Sequence, residues 1–199
     1  MVVHPQLGTY SQLGLVGMGQ DHSPTVEYMA DEEINAEDDH RLRSLLSACF
    51  KGPDDHCFKH RRYFQEIPRH RWLIRAGNVA IIAHVAVHDK VLTSSEGDLR
   101  VGGVAEVCTH PDYRRRGFCK ILLSTAHSWM VAQGTAFAVL FGPAAHYASS
   151  GYVSITNPIH YWDWKRREWV INSLKQAMVC PLAGRAWPVG LIDLHGPIF

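Results

Sequence analysis

The sequence predicts an α/β (α+β) chain, and three observations carry that prediction. Val104–Lys120, V-A-E-V-C-T-H-P-D-Y-R-R-R-G-F-C-K, reads as a strand, a turn, a basic glycine-containing loop and the start of a helix. Pro111 has no amide hydrogen and biases His110 toward extended backbone, so the strand ends there. Upstream, Arg71–Arg75 and Ala80–Val87 are strand-like with Gly77-Asn78 as the turn between them, and Leu99–Val107 is a further strand. Downstream of the helix-compatible K-I-L-L-S-T-A-H-S-W-M, the run Thr135–Phe141 has buried-strand character and Gly142-Pro143 punctuates it.

The remaining elements follow in order. Residues 1–23 carry no lysine or arginine and no long apolar core, so they read as a flexible leader rather than a secretory signal. The acidic stretch Asp31–Asp39 precedes Leu42, Leu45, Leu46 and Cys49 on one helical face, which predicts a helix whose N-terminus favours carboxylates. An acidic rim for a cationic substrate is the alternative. Between Lys51 and His60, the residues His56, Cys57 and His60 lack a fourth partner and the paired spacing of a zinc site, so no metal is expected. His84 lies inside an apolar run and reads as a core or wall residue. Ile159–Val170 mixes aromatic and basic residues and reads as an amphipathic strand rather than a base-stacking surface, with Gln176–Pro181 as a last strand.

Composition sets the class. A chain of 199 residues with 46% hydrophobic content fits one globular domain, placed here at residues 24–199. A net charge of +1 gives no reason to expect nucleic acid, and no stretch is long enough for a membrane span. Five scattered cysteines suggest reduced thiols and a cytoplasmic setting.

The chemistry starts at the basic loop. Unpaired amides at a helix N-terminus, the positive end of its dipole and three arginines together predict a site for a polyanion such as pyrophosphate. Neither G-x-x-x-x-G-K-[ST] nor G-x-G-x-x-G occurs here, so the commoner phosphate loops are excluded. In the central strand, period-two alternation places Val104, Glu106 and Cys108 on one face and Ala105, Val107 and Thr109 on the other. A carboxylate in so apolar a strand needs a partner or a wet cleft, so Glu106 is either a base or the mate of an arginine.

Arg114-x-x-Gly117-x-Cys119 resembles the R/Q-x-x-G-x-G/A signature of GNAT superfamily acyltransferases, with Cys119 in place of the usual glycine or alanine. A second segment, with Tyr147 shortly before Gly151-Tyr152, resembles that family's downstream motif. The resemblance implies the GNAT acyl-CoA N-acyltransferase fold, a mixed, mostly antiparallel central sheet flanked by helices. It also implies acetyl-CoA as cosubstrate, held by Arg114, Arg115, Arg116, Gly117, Phe118, Cys119 and Lys120 at its phosphates. Val107, Cys108 and Thr109 would pair with the pantetheine arm, and Tyr147 would be the general acid. Cys119, near the helix start, is a candidate for a thiol of depressed pKa.

The tail, with Trp187, Pro188, Gly190, Ile192, Asp193, Gly196 and Pro197, resembles that of rhizobial nodulation N-acyltransferases. Its aspartate, glycine and terminal aromatic residue also resemble aminoglycoside 2′-N-acetyltransferases, as does I-I-A-H-V-A-V at Ile81–Val87. The second likeness implies that Asp193 and Phe199, with its terminal carboxylate, line the acceptor pocket; plain docking of the tail is the alternative. The expected reaction is acetyl transfer from acetyl-CoA to a primary amine of a small molecule, such as an aminoglycoside or amino sugar, by direct attack. A longer acyl donor and a non-catalytic acyl-CoA-binding module are the alternatives. The expected partner is the small-molecule amine, with a homodimer left open.

Overall fold

The computed structural model describes residues 24–77 and 80–199. The leader over residues 1–23 and the Asn78 half of the Gly77-Asn78 turn lie outside the described residues; Gly77 itself stands at φ +57°.

Strand β1 (Glu27–Ala30) leads through a single 3-10 turn into α1 (Ala36–Cys49). Asn35 caps this helix: its side-chain oxygen accepts the Asp38 N–H at 2.9 Å, and Glu37, Asp38 and Asp39 fill the first turn. Of the acidic stretch, Asp31, Glu37, Asp38 and Asp39 are already paired with arginines, whereas Glu32 and Glu33 form no ion pair among the described residues. Asp38 meets Arg41 and Arg75, while Asp39 meets Arg43 and Arg62.

Strands β2 (His70–Ala76), β3 (Ala80–Ser94) and β4 (Gly97–Thr109) form an antiparallel meander. β3 runs on to Ser94 rather than ending near Val87, because Leu92 is wholly buried against Leu99 and Val101. Then come α2 (Phe118–Ala132), β5 (Phe137–Phe141), a one-turn α3 (Ala144–Tyr147) and β6 (Val153–Ser154). The predicted single strand over Ile159–Val170 is instead a hairpin, β7 (Pro158–Asp163) and β8 (Glu168–Ser173). Its turn is made by the Asp163 carboxylate, which accepts the amides of Lys165 and Arg166, and by Arg167 at φ +56°. β9 (Ala177–Pro181) and β10 (Ile192–Asp193) complete the order.

The sheet runs β6-β9-β5-β4-β3-β10-β7-β8, with β2 on the first part of β3 and β1 on β2. Among the described residues, only β4–β5 and β10–β7 are parallel. Alternation along β2 sends Trp72 and Ile74 to the face covered by Leu122, Leu123, Ala126 and Met130 of α2. Leu73 goes to the other face, where Leu42, Leu45 and Leu46 of α1 are buried. Each of those leucines contributes about 2 kcal/mol by burial.

Two features of β4 position the site. Its parallel pairing with β5 ends at Gly103–Val139, so the two strands part beyond that point. Glu106 and Val107 then share a single partner: His84 pairs with Cys108 and Ala86 with Ala105, with a register shift between. Glu106 takes φ +50° to make this bulge. The extra residue reverses the parity that uniform alternation predicted, so Val104 and Val107 pack under α2 while Cys108 packs under α1.

Candidate active site

Between the parted strands opens a cleft of about 780 Å³. The strand end Val107, Cys108 and Thr109 forms one wall, and the loop Arg114, Arg115, Arg116, Gly117, Phe118, Cys119 and Lys120 forms its mouth. Tyr147 stands on the β5 side, held where its ring packs on Gly142; a Cβ there would come within 2.6 Å of a ring carbon. The fold therefore brings all ten predicted coenzyme residues and the tyrosine to one cavity.

The mouth has the electrostatics of an anion site. Arg115 at φ +65° and Gly117 at φ +79° turn the chain into α2, whose first bond is Ile121 N–H to Gly117 O at 3.1 Å. Gly117 has no side chain to cap the helix, so the amides ahead of Ile121 have no acceptor among the described residues. Arg114, Arg115 and Arg116 pair with no carboxylate among those residues either. Arg114 Nε donates to Thr109 O at 3.3 Å, and Arg116 lies 5.1 Å over the Tyr113 ring.

Deeper in, backbone direction decides which amides face the gap. His110 N–H donates to Ile82 O at 2.8 Å, so strand alternation turns the N–H groups of Thr109 and Val107 the other way, into the cleft. The same alternation points the Cys108 N–H back at β3. Of the Val107 and Cys108 amides, Val107 is thus turned toward the gap, where an oxyanion would form, and Cys108 is not.

Glu106 does not line the cleft; its side chain is 4% exposed on the α1 side of the bulge. Oε1 accepts the Phe64 N–H at 2.9 Å, and Oε2 lies 3.6 Å from Arg71 Nη1 with no hydrogen bond. Burial pushes its pKa up to about 7, against the pull of Arg71 and the Phe64 amide. The arginine-mate reading of this residue is therefore half met: it has an arginine, yet that arginine is mainly engaged elsewhere.

Arg71 is wholly buried and donates to Asp31 at 2.6 Å, Arg62 O at 3.0 Å and His84 Nε2 at 3.1 Å. A guanidinium only donates, so His84 Nε2 is the acceptor and its proton is on Nδ1, which donates to Glu106 O at 3.0 Å. Burial holds His84 down to about 3 and hence neutral. This imidazole pins the carbonyl of the bulge. Arg71→Leu should cost about 3–5 kcal/mol in a urea titration, because His84 Nε2 and Arg62 O would lose their donor and Asp31 would keep only Arg62.

Several predicted residues sit differently. Cys119 donates to or accepts from Thr109 Oγ1 at 3.1 Å, and burial raises its thiol rather than depressing it. Asp193 is not at the cleft: it pairs with Thr93 in register and binds His160 Nδ1 at 2.9 Å and the His195 amide at 2.8 Å. Thr93 faces Asp98, and Asp98 to Cys108 along β4 at about 3.3 Å per residue is about 30 Å. Two-residue β10 joins the sheet at the far end of β3, and that is why. Phe199 comes nearer, its ring 5.2 Å from Phe141 of the cleft wall and packed on Gly103. Cys49 and Phe50, from the end of α1, line the cleft without any local signal in the sequence.

Residues 32–154 match the acetyltransferase (GNAT) domain family, more than half of the chain. The chain belongs to the GNAT acetyltransferase family. The fold of these GNAT proteins recurs in solved structures. A GNAT family N-acetyltransferase (YhbS) from Escherichia coli in complex with CoA is 17% identical at a TM-score of 0.64, covering 89% of this chain and 94% of its own. A GNAT family acetyltransferase from Brucella melitensis in complex with acetyl-CoA is 12% identical at 0.56, covering 85% and 96%. An acyl-CoA N-acyltransferase from Pseudomonas aeruginosa is 15% identical at 0.55, covering 79% and 99%. No curated protein sequence matches the chain. As a GNAT member it is an acyltransferase with the mixed, curled sheet of that family.

Proposed function

We propose that this GNAT enzyme transfers an acetyl group from acetyl-CoA to a primary amine of a small molecule, by direct attack within the β4–β5 gap. One observation carries the reading: uncapped helix amides and unpaired arginines at the cleft mouth are continuous with inward-facing strand amides at its floor. A diphosphate fits the first and a pantetheine amide the second. The complexes of the two similar proteins with CoA and acetyl-CoA support that donor.

Acetyl-CoA supplies the thioester. The Val107 N–H is placed to hold the carbonyl oxygen as it gains charge, and the Thr109 amide to hold the arm behind it. Glu106 takes the proton that the ammonium must shed before its nitrogen can attack. Its burial outside the cleft makes a water the carrier. Tyr147 donates to the departing sulfur. An aminoglycoside or amino sugar is the acceptor class kept here, with Phe199 rather than Asp193 beside its pocket. A cytoplasmic setting belongs to the same proposal; among the described residues no helix is long and apolar enough to cross a membrane.

A panel of aminoglycosides, amino sugars and simple amines with acetyl-CoA, read as free thiol, tests the reading. Thiol release with at least one amine is expected, and no affinity for coenzyme A would end it. Arg115→Ala is expected to raise the coenzyme A Kd about tenfold by calorimetry, since a charge-assisted contact is worth about 1.5 kcal/mol. Raising salt should weaken binding to the native chain more than to that variant.

A further inference from the structure

Three of the five thiols, Cys49, Cys108 and Cys119, line the cleft, and acetyl transfer by direct attack uses none of them. Cys49 and Cys108 share an apolar cluster to which Cys119 does not belong. Cys49 is half-buried at the last position of α1, Cys108 is buried on β4, and both belong to the apolar cluster between that helix and the sheet. The Cys49 thiol donates to Thr109 O at 3.3 Å, on the residue next to Cys108. Cys119 is engaged with Thr109 Oγ1.

We propose that Cys49 and Cys108 form an oxidation site in the wall of the acyl-CoA cleft, which a hydroperoxide converts to a disulfide and which bound coenzyme A protects. This rests on the coenzyme-binding reading of the cleft. The two sulfurs are suited to unequal parts. The Cys49 thiol is held below the usual range by the neighbouring Cys108 thiol and by the Arg114 guanidinium, outweighing its burial, whereas burial pushes Cys108 up. Cys49 is therefore the nucleophile. Its thiolate attacks a peroxide oxygen; the S–O bond forms, the O–O bond breaks, and the leaving hydroxide takes a proton to become water. The Cys108 sulfur then attacks the sulfenic sulfur; the S–S bond forms, the S–O bond breaks, and hydroxide leaves with the Cys108 proton as a second water. Two thiols lose two electrons and the peroxide gains them.

The geometry gives this a consequence for binding. Cys49 ends a helix, so the S–S bond is reached by drawing that end onto β4, across the wall that Val107, Cys108 and Thr109 present to the pantetheine arm. An arm lying there shields both sulfurs.

The test is exposure of the full reduced chain to hydrogen peroxide, with intact mass and peptide mapping. Loss of two hydrogen atoms and a peptide pair joining Cys49 to Cys108 is expected. Acetyl-coenzyme A, which has no free thiol to consume peroxide or trap the sulfenic acid, leaves about one cleft in eleven open at ten times its Kd, so the rate of cross-linking should fall about tenfold. The oxidised chain should bind acetyl-coenzyme A at least about tenfold more weakly, with recovery on adding dithiothreitol. In Cys108→Ser the sulfenic acid should persist on Cys49 and react with dimedone. A link to Cys119, oxidation of single cysteines without a link, or a rate indifferent to acetyl-coenzyme A would overturn the proposal. The link itself is read without coenzyme, so failure to bind coenzyme A at all would strike the functional reading and leave the cross-link measurement separate.

Discussion

Replacing Tyr147 by phenylalanine is expected to lower kcat about a hundredfold while leaving the KM for acetyl-CoA within about threefold. Packing holds the ring, against Gly142 and 6.0 Å from Tyr152, so phenylalanine keeps the cleft wall and removes only the O–H. Burial pushes the phenol up to about 12, which keeps it protonated across the working range. From unperturbed values near 10 and 8.5, giving its proton to a thiolate is uphill by about 2 kcal/mol. The same burial raises the neighbouring thiols Cys108 and Cys119, so a coenzyme thiolate in this cleft would move in the same direction as the phenol. A deficit of about 2 kcal/mol is about thirtyfold, small enough for donation to the departing sulfur to be productive. The native enzyme should therefore show no loss of rate between about pH 8 and 10 from this group. Steady-state thiol release measures both effects, and an unaltered kcat in the variant would take Tyr147 out of the reaction.

Glu106→Gln is expected to cut kcat/KM about a thousandfold and, at pH 8, to stabilise the fold. The two effects have one cause. Burial lifts the carboxyl from 4.5 to about 7, so the folded chain holds the proton more tightly than the unfolded one. An acid raised on folding contributes its stability fully below about pH 4.5, and that contribution is lost as pH rises through about 7. The gap is worth about 3 kcal/mol, and above pH 7 the native protein carries a buried charge that Arg71, engaged with Asp31, only partly offsets. The amide carries none. Urea titrations at pH 5 and pH 8 should show the variant gaining on the native chain only at the higher pH. Activity of the native enzyme should rise through about pH 7 as Glu106 becomes able to accept. Equal stability differences at the two pH values would mean that Glu106 ionises as an ordinary carboxylate.

The coenzyme side of the site was legible along the chain because it is local. Arg114 to Lys120 is one turn entering one helix, and Pro111 and Gly117 act on backbone within a few residues of themselves. Tyr147 was legible for the same reason, lying between Gly142-Pro143 and Gly151. Periodicity read α1, α2, β2, β4, β5, β9 and the first part of β3, each with a buried face, and missed the short strands β1, β6 and β10. It failed at Glu106, where a bulge adds a residue to β4 without any glycine to announce it, and at Asp163–Glu168, where an Asx turn broke an apparently continuous strand. Asp193 was misplaced because the short β10 takes its position from pairing with β3 and β7, not from its own residues.

By itself, then, the amino-acid order determined the family of fold, the basic loop at the mouth of the cleft and the tyrosine that shares it. Tertiary structure alone decided the charge state of Glu106, which depends on Arg71, Asp31, His84 and Phe64 from four separate segments, and which amides face the cleft. It alone set Cys49 beside Cys108. The physical reason is that backbone conformation is fixed by near neighbours, whereas desolvation and the pairing of buried polar groups are fixed by whatever the fold brings within a few ångströms.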